Sequence, residues 1–386
     1  MEYIPYSCQA IDDADVEAVV AALRSPFLTQ GPEVPAFEAA FGALHQVEHC
    51  VAVANATAAL HLACLAFGLG PGDRGWTVPN SFVASANCIR YCGAEVDFVD
   101  IDPATRIMSV ERLSEKLAQA QRDGTLPKVV IPVDFAGCPA DLPAIRALAD
   151  EYGFFIVEDA SHAVGASLDG VMIGSRWADV TVFSFHAVKV VTTAEGGLCA
   201  TRDPALAQRI RLLSSHGITR DPAMMEGESE GGWYYEQIGL GYNYRMTDLQ
   251  AALGRSQLAR LPAMHARRVA LAARYDRLLA DLPLKLPHAR EGLESGLHLY
   301  VVELDARRTN ASRADVFAAL REAGIGVNVH YIPIHLQPDY RRLGFAPGQF
   351  PAAEDYYAHA ISLPLHPRLT EEQQDRVVAE LARALG

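Results

Sequence analysis

Between residues 12 and 24 the apolar side chains Val16, Val19, Val20 and Leu23 recur at the spacing of one helical face, with Asp12 or Asp13 placed to cap it. After a Gly31-Pro32 turn the pattern predicts a second helix near 34–44. Residues 50–54 form a short apolar run, read as a strand, that passes through Asn55-Ala56-Thr57 into an apolar helix over 58–67. Gly68, Gly70, Pro71 and Gly72 end that helix. Strands are then predicted at 96–99, 129–133, 154–157 and 180–185, and helices at 142–152 and 204–213. Alternation of this kind implies an α/β layer with a mostly parallel, buried, mixed sheet. The acidic, Gly-rich stretch 221–235 breaks the pattern and reads as an exposed, mobile loop. Beyond it a helix is predicted from 249 to about 279, strands near 298–304 and 325–331, and helices near 313–323 and 371–385. The expectation is therefore a large α/β domain over residues 1–248 and a smaller α+β domain over 249–386.

Length supports two domains, since 386 residues exceed what one core usually organises. Half of the residues are hydrophobic, enough to bury a sizeable core. A net charge of −14 argues against nucleic acid as a partner. An anionic ligand would need a local pocket of backbone N–H groups and arginines. Lysine is scarce: Lys116, Lys128, Lys189 and Lys285 are the four present. The seven cysteines are scattered without a metal or redox spacing, which predicts free thiols in a reducing compartment. No apolar run approaches about 18 residues, and the N-terminus lacks a basic segment followed by an apolar one. No membrane span is predicted, and a cytoplasmic location is expected.

Three segments carry candidate chemistry. Ile156-Val157-Glu158-Asp159-Ala160-Ser161-His162 is a hydrophobic strand ending in carboxylates, which puts Asp159 at the carboxyl end of a sheet strand, where open α/β sheets bind ligands. A carboxylate there could hold a proton on a cofactor's pyridinium nitrogen. Phe183-Ser184-Phe185-His186-Ala187-Val188-Lys189 is a second such strand, with one lysine among apolar neighbours. Desolvation lowers the pKa of such an amine and makes it a nucleophile able to form a Schiff base. Ser184 can donate to a phosphate. Asn55-Ala56-Thr57-Ala58 places free N–H groups at a helix N-terminus, where small residues let a phosphate approach. Each has an ordinary reading alone: a strand-end carboxylate capping or pairing, a solvated lysine, a plain helix cap. Together they fit a pyridoxal-phosphate site.

At these residues the chain resembles the sugar aminotransferases of the DegT/DnrJ/EryC1/StrS family, within the fold-type I pyridoxal-phosphate enzymes. The resemblance runs nearly end to end and rests on Leu28-Thr29-Gln30-Gly31-Pro32, Ser81-Phe82-Val83-Ala84, Glu158-Asp159-Ala160-Ser161-His162-Ala163, Ser184-Phe185-His186, Lys189, Glu195-Gly196-Gly197 and Gly241-Tyr242-Asn243-Tyr244-Arg245-Met246. It implies the fold-type I architecture, pyridoxal 5′-phosphate as cofactor and its pyridoxamine form as intermediate. It further implies that Lys189 is the Schiff-base lysine and proton shuttle and that Asp159 is the pyridinium partner. His162 would contact the cofactor at a position often held by Gln; otherwise it is a packed polar residue. Phe82 would stack on the cofactor ring, although most phenylalanines are core. Ala56, Thr57 and Ser184 would cradle the phosphate, joined by Asn243 from a neighbouring subunit, which implies a homodimer with shared active sites. Arg245 has two readings, a substrate or cofactor contact and an interface salt bridge.

Finer features, including Ile4-Pro5-Tyr6-Ser7, Thr192-Thr193-Ala194-Glu195 and the run from Val329 to Pro338, resemble the branch serving pseudaminic acid synthesis. Ala194 departs from the Gly common across the wider family but is similar to this branch. The branch implies transfer of the amino group of L-glutamate to C4 of UDP-4-keto-6-deoxy-N-acetyl-L-altrosamine. Another keto hexose on UDP, GDP or dTDP, or a cyclitol, is the alternative. The loop 221–235 and the segment 330–335 are expected to line the sugar-nucleotide entrance. His330, Tyr331 and His335 would bind uridine or diphosphate, or else are polar residues of the small domain's surface. His45-Gln46-Val47-Glu48-His49 matches the letters of a zinc-peptidase motif. The strand beginning at Cys50 leaves that motif no helix to put both histidines on one face. Lys189 argues against the dehydratases of the family, which carry histidine there, and no Gly-x-Ser-x-Gly marks a hydrolase.

Overall fold

The computed structural model describes residues 2–288 and 292–386. Two helices open the chain, α1 (Asp13–Arg24) and α2 (Glu33–His45). Five strands follow in a βα alternation: β1 (His49–Val53), β2 (Arg74–Thr77), β3 (Glu95–Phe98), β4 (Val129–Ile131) and β5 (Phe155–Asp159). Between them lie α3 (Ala56–Ala66), α4 (Ala84–Tyr91), α5 (Val110–Asp123) and α6 (Leu142–Tyr152). Strands β6 (Val180–Ser184) and β7 (Gly197–Thr201) then precede α7 (Pro204–Ser214). The seven strands form one sheet in the order β1-β7-β6-β5-β4-β2-β3. The run from β6 to β3 is parallel throughout, and β7 is antiparallel to both its neighbours. This is the mixed, mostly parallel sheet that the sequence predicts.

The sheet is apolar on both faces, as a parallel sheet under helices must be. Val130, Ile156 and Phe183 point into a core shared with α2, α5 and α6. Their strand neighbours Val129, Ile131, Val157 and Val182 point the other way, against α3 and α4. A second sheet, antiparallel and three-stranded, comprises β8 (Leu284–Lys285), β9 (Tyr300–Leu304) and β10 (Ala360–Leu363). It packs with α9 (Arg313–Glu322) and the C-terminal Glu371–Leu385 helix around Tyr300, Val302, Leu320 and Val377. The helix α8 (Asp248–Leu278) serves both cores: Leu258, Leu261 and Met264 belong to the first, Leu271, Ala272 and Tyr275 to the second.

Two expectations change. The strand predicted near 325–331 reduces to isolated bridges, Ile325 with Ile4 and Asn328 with Ser362, because those residues cross between elements rather than extend an edge. Helix α1 forms as predicted, with Asp12 and Asp15 in a capping box, but it buries a different face. Asp15 and Ala22 turn inward, and Gln257 and Arg260 of α8 hold the buried Asp15 carboxylate. Of the apolar stripe, Val16 and Leu23 are left outside, at 52% and 54% exposure, while Val19 and Val20 are half-buried. Among the described residues, no helix is long and apolar enough to cross a membrane, no group of three or more metal-ligating side chains converges, and no disulfide is formed.

Candidate active site

Strands β5 and β6 run parallel with Asp159 opposite Val182, so β5 ends at Asp159 and β6 ends two residues further on, at Ser184, on the same edge of the sheet. Their carboxyl ends open on a cavity of about 750 Å³, a size suited to a small organic ligand. Ala56 and Thr57 at the start of α3, Ser81 and Phe82 before α4, and Lys189 beyond β6 all line it.

The backbone of Asp159 is fixed by two sheet-like hydrogen bonds: its N–H donates to Pro132 O at 2.9 Å, and its carbonyl accepts from the Asp134 N–H at 3.0 Å. Its carboxylate accepts from the Ser85 hydroxyl at 2.7 Å and from the Ser161 N–H at 3.2 Å. Glu158, one residue earlier, points away and is fully buried. One of its oxygens accepts from the Thr181 hydroxyl at 2.6 Å; one oxygen of buried Asp134 accepts from the Ala140 N–H at 2.9 Å. The other oxygen of each has no donor, although the two carboxyls are within hydrogen-bonding reach of one another. Two acceptors facing each other in a dry interior require a proton between them. Burial pushes Glu158 up to about 7 and raises Asp134 well above the usual carboxylate range.

Lys189 follows a turn in which its N–H donates to His186 O at 2.9 Å, and the Ser7 hydroxyl, from the N-terminal segment, donates to Val188 O at 2.9 Å. Removal of its ammonium from water lowers the pKa to about 8, against the opposing pull of Asp159. Past the lysine, Ala194 holds φ of +67°, in the left-handed region that favours glycine. That conformation accounts for the glycine usual here in the family that the sequence resembles.

The start of α3 is a cradle for an anion. Asn55 caps it, accepting from the Ala58 N–H at 2.8 Å, and Ala56 and Thr57 of its first turn line the same cavity as Ser184 at the end of β6. Gly197 lets β7 press against this turn: a Cβ there would lie 2.4 Å from the Asn55 carbonyl carbon. These donors, the Ser184 hydroxyl, the lysine of lowered pKa and the Asp159 carboxylate fit a phosphorylated pyridine aldehyde.

The opposite wall joins His162, just beyond β5, to His298, His330 and Tyr331 of the C-terminal half. His162 Nδ1 accepts from the Ala136 N–H at 3.2 Å, so its Nε2 carries the proton and donates to the Tyr331 hydroxyl at 3.1 Å. His298 leans on His162, with ring centroids 4.4 Å apart. His330 accepts from the Asn328 amide at Nε2 (3.4 Å), leaving Nδ1 to donate to Ser362 Oγ at 2.7 Å. Burial and, secondarily, the Lys189 charge push His162 well below the usual imidazole range and His330 down to about 4. Phe82, 58% exposed, stands at the rim with its ring centroid 6.3 Å from that of Tyr331.

Several residues singled out in the sequence lie elsewhere. His335 is not on the cavity: it is fully buried, bonded to Glu354 at 2.9 Å and packed against Phe350. His330 does line the cavity, but both its ring nitrogens are committed and it is neutral, so it offers a diphosphate no charge. Asn243 is exposed and bridges Ser215; Arg245 donates to the Ser215 hydroxyl at 2.9 Å. Neither lines the cavity of its own chain, and neither does the 221–235 stretch, parts of which are tied to Glu236. His45 spends Nδ1 on Ile173 O at 2.8 Å and Nε2 on the Gly165 N–H at 3.3 Å, while His49 begins β1, so the two do not form a zinc pair. Conversely, Tyr6, Ser85 and His298 belong to the site or touch its carboxylate without having been singled out. Tyr6 sits within the Ile4–Ser7 motif, and Ser85 lies one turn beyond Phe82; His298 had no local signal.

The profile of the DegT/DnrJ/EryC1/StrS aminotransferase family matches residues 9–382. The chain belongs to this family. Like other DegT/DnrJ/EryC1/StrS members it is an aminotransferase dependent on pyridoxal phosphate, and its fold is theirs. It is 40% identical to the spore coat polysaccharide biosynthesis protein SpsC of Bacillus subtilis, over 97% of this chain and 95% of that one. It superposes on Helicobacter pylori PseC, an aminotransferase in the biosynthesis of pseudaminic acid, with a TM-score of 0.91 at 30% identity, covering 100% of this chain and 99% of PseC. Streptococcus pneumoniae Spr1654, solved in PMP and PLP forms, matches with a TM-score of 0.89 and 32% identity in its PMP form, over 99% of this chain and 98% of that one.

Proposed function

We propose that this aminotransferase moves the amino group of L-glutamate to C4 of UDP-4-keto-6-deoxy-N-acetyl-L-altrosamine. The observation that carries the aminotransfer chemistry is the juxtaposition, in one cavity, of Lys189 with its pKa near 8, Asp159, and the α3 anion cradle. The sugar rests on the motifs shared with the pseudaminic branch and on the likeness to PseC. A second reading, a different keto hexose, is favoured by the higher identity to SpsC.

When bound, pyridoxal phosphate supplies an aldehyde for the amine of Lys189 and a ring that takes up the electron pair released at carbon. Asp159 would face the ring nitrogen, His162 the ring's edge, and Phe82 its exposed face. Ala56, Thr57 and Ser184 would hold the phosphate. Lys189, its pKa lowered by desolvation, would be the base that holds and moves the proton. It would take the proton from the α-carbon of glutamate in the first half of the reaction and deliver one to C4 of the sugar in the second. Overall, glutamate and the keto sugar become 2-oxoglutarate and the amino sugar. Tyr331 and Phe82, at the rim, would contact the sugar nucleotide. The exposed apolar residues Val16, Leu23, Phe27 and Leu28, with Asn243 outside its own cavity, support a homodimer in which Asn243 of one copy reaches the phosphate of the other. Cysteines without disulfides support a cytoplasmic enzyme.

The test is paired. Borohydride reduction of the holoenzyme followed by peptide mass spectrometry is expected to find the pyridoxyl adduct on Lys189. Glutamate plus the UDP-keto sugar is expected to give the amino sugar. An adduct without turnover sends the assignment to another keto hexose; an adduct on any other residue removes the reading of the site.

A further inference from the structure

Asp159 is only as good a partner for a ring nitrogen as its surroundings make it, and these are divided. Behind it stand the carboxyls of Asp134 and Glu158, fully buried, each with one oxygen that no donor reaches. In front, one oxygen accepts the Ser161 N–H at 3.2 Å and the other the Ser85 hydroxyl at 2.7 Å. Ser85 is fully buried, and Ser81 Oγ lies 2.7 Å from Ser85 Oγ. The order of donation follows from valence. An ionised carboxylate only accepts, so the single proton of Ser85 points to Asp159, and Ser81 must donate to Ser85. A serine in a helical turn ordinarily donates to a carbonyl three residues back. Here that carbonyl, Phe82 O, lies 3.3 Å away, and the shorter bond to Asp159 decides against it.

We propose that Ser85, backed by Ser81, is the positioning residue that orients Asp159 toward the cofactor's ring nitrogen. The proposal rests on the reading of Asp159 as that partner. The same turn of chain carries Phe82 to the rim and Ser85 to the carboxylate, so α4 couples the grip on the ring's face to the acid at its edge. A charge-assisted bond of this length from a fully buried hydroxyl fixes one rotamer of the carboxylate.

The experiment uses the holoenzymes of wild type, Ser85→Ala, Ser85→Thr, Ser81→Ala and Asp159→Asn. Three quantities are read: the pH midpoint of the bound cofactor's visible absorbance, the dissociation constant for pyridoxal phosphate, and kcat and KM. For Ser85→Ala we expect a cofactor affinity and kcat each lower by about tenfold, a KM for glutamate within about threefold of wild type, and a midpoint moved by about half a pH unit or more. Ser85→Thr, which keeps the hydroxyl, is expected within about twofold of wild type and Ser81→Ala about threefold down. An unmoved midpoint and affinity in a folded Ser85→Ala holoenzyme overturn the proposal. If that variant melts early, Ser81→Ala decides by the same titration. If Asp159→Asn leaves midpoint and affinity unchanged, the reading of Asp159 fails; if it removes them while Ser85→Ala does not, only the role of Ser85 fails.

Discussion

The two walls of the cavity are built on different principles. The sheet wall holds charge: an amine, a carboxylate and a helix N-terminus, each at the end of a strand or the start of a helix and each fixed by backbone hydrogen bonds. The facing wall, His162 together with side chains of the C-terminal half, holds dipoles. His162, His298 and His330 are kept neutral by burial beside Lys189, and their orientation comes from contacts far apart in sequence, such as His162 with Tyr331 and His330 with Ser362. A cationic second wall would compete with the lysine for Asp159. A neutral one leaves the charge pattern to the sheet and supplies shape and hydrogen bonds.

Substitutions should separate the walls. On the charged side, Lys189→Met is expected to lower turnover by about 10⁴-fold or more, since one group serves as anchor and base; a steady-state assay checks it. The same pair of proteins, both without cofactor, sharpens the electrostatic claim. The folded-state pKa of Lys189, about 8, lies below the ordinary lysine value of 10.5. The unfolded chain therefore binds the extra proton more readily, and the cost is present at neutral pH and relieved as pH rises from 8 toward 10.5. The melting-temperature advantage of Lys189→Met over wild type should accordingly shrink across that window, and a constant difference would break the assignment of a buried amine. On the neutral side, Tyr331→Phe removes the acceptor of His162 and is expected to reduce kcat/KM by about three- to tenfold. His330→Ala should matter least to catalysis, leaving the sugar-nucleotide KM within about twofold and costing about 1–2 kcal/mol of stability, read by denaturant unfolding. A large rise in that KM would return His330 to the substrate.

The same division governs what could be read from the sequence. Asp159, Lys189, Ser184 and Thr57 sit in short runs whose local pattern, an apolar strand followed by a polar group, places them without knowledge of the fold. His298 and Ser85 reach the site only through tertiary packing and leave no such trace. His335 misled for the converse reason: it lies five residues from His330 in a promising motif, but the chain turns and buries it against Glu354. Helix α1 shows the limit of periodicity. The apolar stripe is real, but a buried Asp15 held by Arg260 turns the helix so that only Val19 and Val20 are half-buried and Val16 and Leu23 face outward. The sheet order and the mixed antiparallel strand β7 required the coordinates, since periodicity carries no information about neighbours.

One feature of the architecture bears on any attempt to dissect the enzyme. Helix α8 lends side chains to both hydrophobic cores along one helix that runs on through Pro262. A truncation before it strips Leu258 and Leu261 from the large sheet's cover, and one after it strands Leu271 and Tyr275 without the small sheet. The two lobes are thus inseparable as expression products, and proteolytic nicking within α8 should release no soluble half.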